Sequence, residues 1–150
     1  MARRHLDNGS LRAHGRAVAT VPEPYWISYE LETGEGFVTR RLMVTAETET
    51  STRTLDLRRD DAGRWTADGE PLRGVDGALD CDLGLCPLTN SMPVLRHGLH
   101  LAPGEREFLM AWVSVPGLVV RPSRQTYTHL GAPTAAAPSG SRPGMAVRLR

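Results

Sequence analysis

Apolar and polar residues alternate with period two along much of this chain, and Gly or Pro interrupts it before any helix of ordinary length can be written. From Tyr25 to Leu31, residues Tyr25, Ile27, Tyr29 and Leu31 point to one face, and Trp26, Ser28 and Glu30 to the other. Thr33 to Gly36 reads as a hairpin loop. The returning strand, Phe37 to about Glu47, puts Leu42, Val44 and Ala46 opposite Arg41, Met43 and Thr45. Arg53 to Arg59 repeats the pattern through Leu55 and Leu57. Asp60–Gly63 and Asp68–Pro71 turn on either side of a short strand from Arg64. Further on, Leu79, Cys81, Leu83 and Leu85 share a face, with Asp80 and Asp82 directed away from it. Arg106 to Val115 is apolar on both faces: Phe108, Met110 and Trp112 on one, Leu109, Ala111, Val113 and Val115 on the other. Such a strand has to be covered on both sides. The expected fold is therefore all-β, a mostly antiparallel meander that curls or is covered, because a flat single layer leaves one face wet.

Composition limits the function classes. The chain has 150 residues and a net charge of +1, and arginine supplies all 18 of its basic side chains. This balance gives no basic footprint for a nucleic-acid partner. No apolar run approaches the ~18 residues of a membrane span, and basic Arg3 and Arg4 precede no apolar signal segment. A cytoplasmic location is expected. Cys81 and Cys86 lack the spacing of a zinc or redox pair and read as small buried apolar residues. The five histidines are scattered, and no nucleophile elbow, phosphate-binding loop or dinucleotide fingerprint occurs. No metal or cofactor is expected.

The polar candidates lie in two blocks. Asp76 forms a turn with Gly77, while Asp80 and Asp82, about 7 Å apart by strand rise, face the same way. They suit acid–base work or a hard cation, or they pair with arginines on adjacent elements, Arg41 or Arg96 being the candidates. Pro87 to Pro93 reads as a turn. Within it Asn90 serves turn chemistry or, with Arg96, offers donors to a sugar or phosphate head group. In the second block, Arg124, Gln125 and Tyr127 line a pocket mouth or pack at a sheet edge. Trp112, with Met110 and Phe108 beside it, is the candidate apolar wall.

These blocks carry a resemblance. Asp76 to Arg96 reads D-G-A-L-D-C-D-L-G-L-C-P-L-T-N-S-M-P-V-L-R, and Val113 to Tyr127 follows V-x-V-P-x-L-x-V-x-x-x-x-Q-x-Y. Together they resemble the signature of a bacterial glycolipid-binding family, formerly a domain of unknown function, over residues 11–131. The resemblance implies a strongly curved sheet or incomplete β-barrel around an apolar cavity, similar to carriers that hold acyl chains. It also implies a lipid or glycolipid ligand. Family members usually carry a further strand before the segment at Leu11 and one or two after Leu130. Here residues 1–10 read as a flexible lead-in and residues 132–150 as a disordered Pro/Ala/Gly/Ser/Arg tail, so a truncated member is expected. Alternative functions are a hydrolase using Asp80 and Asp82 in the same cavity, or a β-edge interaction module.

Overall fold

The period-two segments become strands, and each turn-rich interval joins neighbours in chain order. The computed structural model describes residues 3–7, 9–130 and 147–149. β1 (Arg3–Asp7), β2 (Ser10–Ala19), β3 (Tyr25–Thr33), β4 (Thr39–Thr48), β5 (Thr52–Arg59), β6 (Trp65–Ala67) and β7 (Glu70–Pro71) follow one another. They make a seven-stranded antiparallel meander whose spatial order is the sequence order. β8 (Asp80–Leu83), β9 (Gly104–Val113), β10 (Val120–His129) and β11 (Val147–Leu149) form a second sheet, ordered β11-β10-β9-β8. The protein is mostly strand, as expected, and no closed barrel forms among the described residues.

Terminal strands stand where the sequence suggested none. β1 lies within the expected lead-in and pairs with β2, and β11 pairs with β10. Most of the expected tail lies outside the described residues.

The inner face of the large sheet is the one the alternation marked. Ile27, Leu42 and Leu57 are completely buried there, each contributing roughly 1.5–3 kcal/mol relative to exposure. Cys81, Leu83, Ala111 and Val113 of the second sheet belong to the same core, so the two sheets share one apolar layer. Both cysteines are free and buried, and burial pushes the Cys81 thiol up to about 12.

Three local readings need correction. Pro87 to Pro93 is not a turn: Pro87–His97 is an eleven-residue helix, α1. Pro87 occupies the first turn, where a missing N–H costs nothing, and Gly98 closes the helix in the left-handed conformation (φ 62°). Its N–H and that of Leu99 then bond the carbonyls of Leu95 and Val94. Pro93 lies inside the helix, and it and the Thr89-Asn90-Ser91 run made the segment look like turn chemistry. Second, β8 and β9 run parallel, Asp80 against Met110 and Asp82 against Trp112, because α1 carries the chain back between them. Third, Leu85 does not continue the buried face. β8 ends at Leu83, and Leu85 is exposed with φ 62°.

β8 is also an edge strand, and its outward N–H groups are satisfied by side chains rather than by a further strand. Cys81 donates to Thr39 Oγ1 at 3.1 Å and Leu83 to Thr89 Oγ1 at 3.1 Å, both threonines being buried. That edge is closed to strand addition.

Candidate functional site

Four elements bring the polar residues of the two signature blocks together. Alternation in β8 puts Asp80 and Asp82 on the face away from the shared core. Parallel register sets Met110 and Trp112 of β9 on the same face. Antiparallel register then adds Gln125, opposite Phe108, and Tyr127, opposite Arg106. α1 crosses this face and contributes Asn90 and Arg96.

Asp80 and Arg96 form a two-pronged ion pair. Arg96 Nη1 donates to Oδ1 at 2.9 Å, and Nη2 donates to Oδ2. Of the two arginines considered, Arg96 is the partner; Arg41 pairs with Asp56 at 2.9 Å. The Asp80 side chain is 1% exposed and that of Arg96 11%. Burial raises the Asp80 pKa, outweighing the guanidinium, which lowers it. Arg96 also reaches the carbonyl of Gly36, in the 3-10 turn Glu35–Phe37, at 3.5 Å, and its Nε has no partner among the described residues.

Asp82 belongs to a closed ring of neutral donors. Asn90 Nδ2 donates both to Asp82 Oδ1 at 3.2 Å and to Tyr127 Oη at 3.0 Å. The Tyr127 hydroxyl donates to Gln125 Oε1 at 3.0 Å, and Gln125 Nε2 completes the ring on Asp82 Oδ2. Both amide hydrogens of Asn90, one of Gln125 and both carboxylate oxygens of Asp82 find their complement in this circuit. Burial, the largest influence, pushes the Tyr127 phenol up to about 12, with the nearby Asp82 and Asp80 adding to it. Thr89 Oγ1 lies 3.4 Å from Asp82 Oδ1 and donates at 2.8 Å to the Cys86 carbonyl.

Asn90 is therefore neither a turn residue nor a free donor. Phe108 meets Tyr127 edge-on, with centroids 5.2 Å apart, and Val94 and Leu99 pack with them. Met110 is completely buried, while Trp112 is half-buried. Arg124 is not part of the group: it faces away from Gln125 and Tyr127, is mostly exposed, and bonds Glu107 at 3.1 Å. Sequence reasoning missed Thr89 as a ligand of β8, Thr39 as its counterpart, and His97, whose ring stacks on Phe108 and contacts Arg106 at 3.0 Å. Burial and then the neighbouring Arg106 and Arg96 lower the His97 pKa. Only the i to i+3 placement of Thr89 after Cys86 could have signalled a local role; nothing local links Thr39 to Cys81.

Both oxygens of each aspartate are thus occupied, Asp80 by a guanidinium and Asp82 by amides. The arrangement orients polar side chains between α1 and the small sheet. Among the described residues no group of three or more His, Cys, Asp or Glu side chains is placed to hold a metal ion, and no helix is long and apolar enough to cross a membrane.

No curated protein matches the chain. A crystal structure of a DUF1089 family protein from Pseudomonas aeruginosa is similar, with 32% identity and a TM-score of 0.71, covering 88% of this chain and 72% of that one. A family model described as "Putative glycolipid-binding" matches residues 2–146. The chain belongs to that glycolipid-binding family.

Proposed function

We propose that the protein binds a glycolipid on the face that α1 shares with the small sheet, with the head group met by the open side of the Asp82–Asn90–Gln125 ring and by Trp112. The observation that supports this reading is the convergence of the signature's polar residues beside a half-buried indole. Trp112 sits next to Asp82 across the parallel pair, and an indole beside amides and a carboxylate offers a sugar both a ring to stack on and groups to bond. Asn90 keeps its carbonyl, and Gln125 its second amide hydrogen, for such a ligand. The acyl portion would lie on the apolar residues exposed where this sheet ends, Leu85 and Val119, because the layer between the sheets is filled with core side chains.

Native mass spectrometry with lipid extraction tests the reading, backed by titration with dodecyl maltoside below its critical micelle concentration. A bound lipid at defined stoichiometry is expected, lost in Trp112→Ser and kept in Arg124→Ser. A monodisperse protein that carries no lipid and ignores the detergent rejects it.

A further inference from the structure

The outer face of the large sheet is separated from the α1 face by the core and both sheets. Register there sets His14 opposite Glu30 and Arg16 opposite Ser28, with Met43 and Thr45 of β4 against the same two β3 residues. These six side chains line an open groove of about 660 Å³. At its margin Arg12 pairs with Glu32, and Arg41, which also lines the groove, pairs with Asp56. The other polar side chains of the groove, His14, Arg16, Ser28, Glu30 and Thr45, make no side-chain hydrogen bond or salt bridge among the described residues, and Glu30 lies in the field of Arg41. One step further along β3, Trp26 is 46% exposed and stands across from Val18, 79% exposed.

We infer that this groove is a second binding site, for a short neutral oligosaccharide. With Arg41 neutralised by Asp56, the charges left are one guanidinium, Arg16, and one carboxylate, Glu30, so the complementary ligand carries no net charge. Free groups of both signs would be stranded under an acyl chain, since an unpaired polar group costs more buried than hydrated. A sugar satisfies both kinds: its hydroxyls donate to Glu30 and accept from Arg16, Ser28 and Thr45. The apolar C–H face of a ring has Met43 on the β4 side of the groove and the Trp26 indole, one step beyond Ser28 on β3, to lie on. A volume of this size is also within the range of small-molecule sites, roughly 300–1,000 Å³.

A ¹⁵N-resolved NMR titration of the full chain with maltose, lactose, cellobiose and mannobiose tests this inference. At least one sugar should shift the amides of His14, Arg16, Ser28, Glu30, Met43 and Thr45 saturably. Glu30→Gln and Arg16→Met, both at exposed positions, should each weaken that binding about tenfold, the equivalent of roughly 1.4 kcal/mol, and leave the rest of the spectrum unchanged. Absence of saturable shifts for all four sugars at about 50 mM, where a site with millimolar affinity is full, overturns it. So does a response confined to Asn90, Trp112 and Gln125, which would place the sugar on the α1 face and leave the glycolipid reading standing.

Discussion

Replacing Arg96 by methionine removes the guanidinium while keeping most of the side chain's apolar bulk. Asp80, 1% exposed, then has both oxygens left in the interior without their donor. Breaking one side of a buried pair in this way costs about 3–5 kcal/mol. At roughly 2–4 °C per kcal/mol for a chain of this length, the melting temperature should fall by about 6–20 °C at pH 7. The deficit should also depend on pH in a definite direction. Burial already raises the native Asp80 pKa, and Arg96 is the largest opposing influence. Its removal raises that pKa further. A group whose folded pKa lies above its unfolded value contributes stability that is fully present below the unfolded pKa and lost as pH rises through the folded one. The variant should therefore recover stability relative to wild type as pH is lowered from 7 toward the ordinary carboxyl range.

Urea melts of Arg96→Met at pH 7 and pH 5 measure this recovery, and Asp80→Leu/Arg96→Met completes the comparison. With both charges gone the double variant should lie within about 1 kcal/mol of wild type or above it. The double variant and the acid recovery remain readable even if the single variant is unfolded at pH 7. A double variant as unstable as Arg96→Met, or a deficit that widens on acidification, would show that the ion pair is not what holds α1 at this position.

Tyr127→Phe leaves Asn90 without one acceptor and Gln125 without its donor, a loss of about 1–3 kcal/mol in urea melts. In wild type the phenol, pushed up to about 12, contributes stability that is complete below pH 10 and lost between pH 10 and 12. The difference in 295 nm absorbance between wild type and the variant should accordingly show no phenolate from this residue at pH 10; a transition there contradicts the ring. Gly15→Ala should destabilise by about 1–3 kcal/mol, because an added Cβ would lie 2.6 Å from Tyr29 Oη and 2.8 and 2.9 Å from its ring carbons. Strand propensity alone favours alanine, so a variant at least as stable as wild type would mean that Tyr29 does not lie across Gly15.

The large sheet was readable because its signal is local. Each of β3, β4 and β5 alternates within its own length, and turn residues separate them, so pattern and pairing coincide. The Asp80–Arg96 pair was readable to the extent that a carboxylate inside a strand needs a cation and few arginines lie within reach. α1 was not. A proline at the first helical position and a glycine after the last are helix punctuation, but a second proline at Pro93 and the Thr89-Asn90-Ser91 run imitate a turn over the same residues. The parallel pairing of β8 with β9 follows from that helix, so missing one meant missing the other. Thr39 and Cys81 are 42 residues apart and meet only because the two sheets share a core.

The signature is polar, yet most of it is used internally. Asp80 and Arg96 tie the last turn of α1 to β8; Asn90 ties its middle to Asp82 and Tyr127, and Thr89 closes the β8 edge. Substitutions at these positions will weaken binding of any ligand simply by loosening the helix, and such losses say little about contact with it. Side chains without structural duties are more informative. Arg16 and Glu30 make no hydrogen bond or salt bridge among the described residues, and Trp112 is only half-buried on its strand. Removing any of them leaves the hydrogen bonds of both sheets in place. Lost binding in an intact fold at these three positions therefore reports recognition, and it distinguishes the α1 face from the outer face of the large sheet.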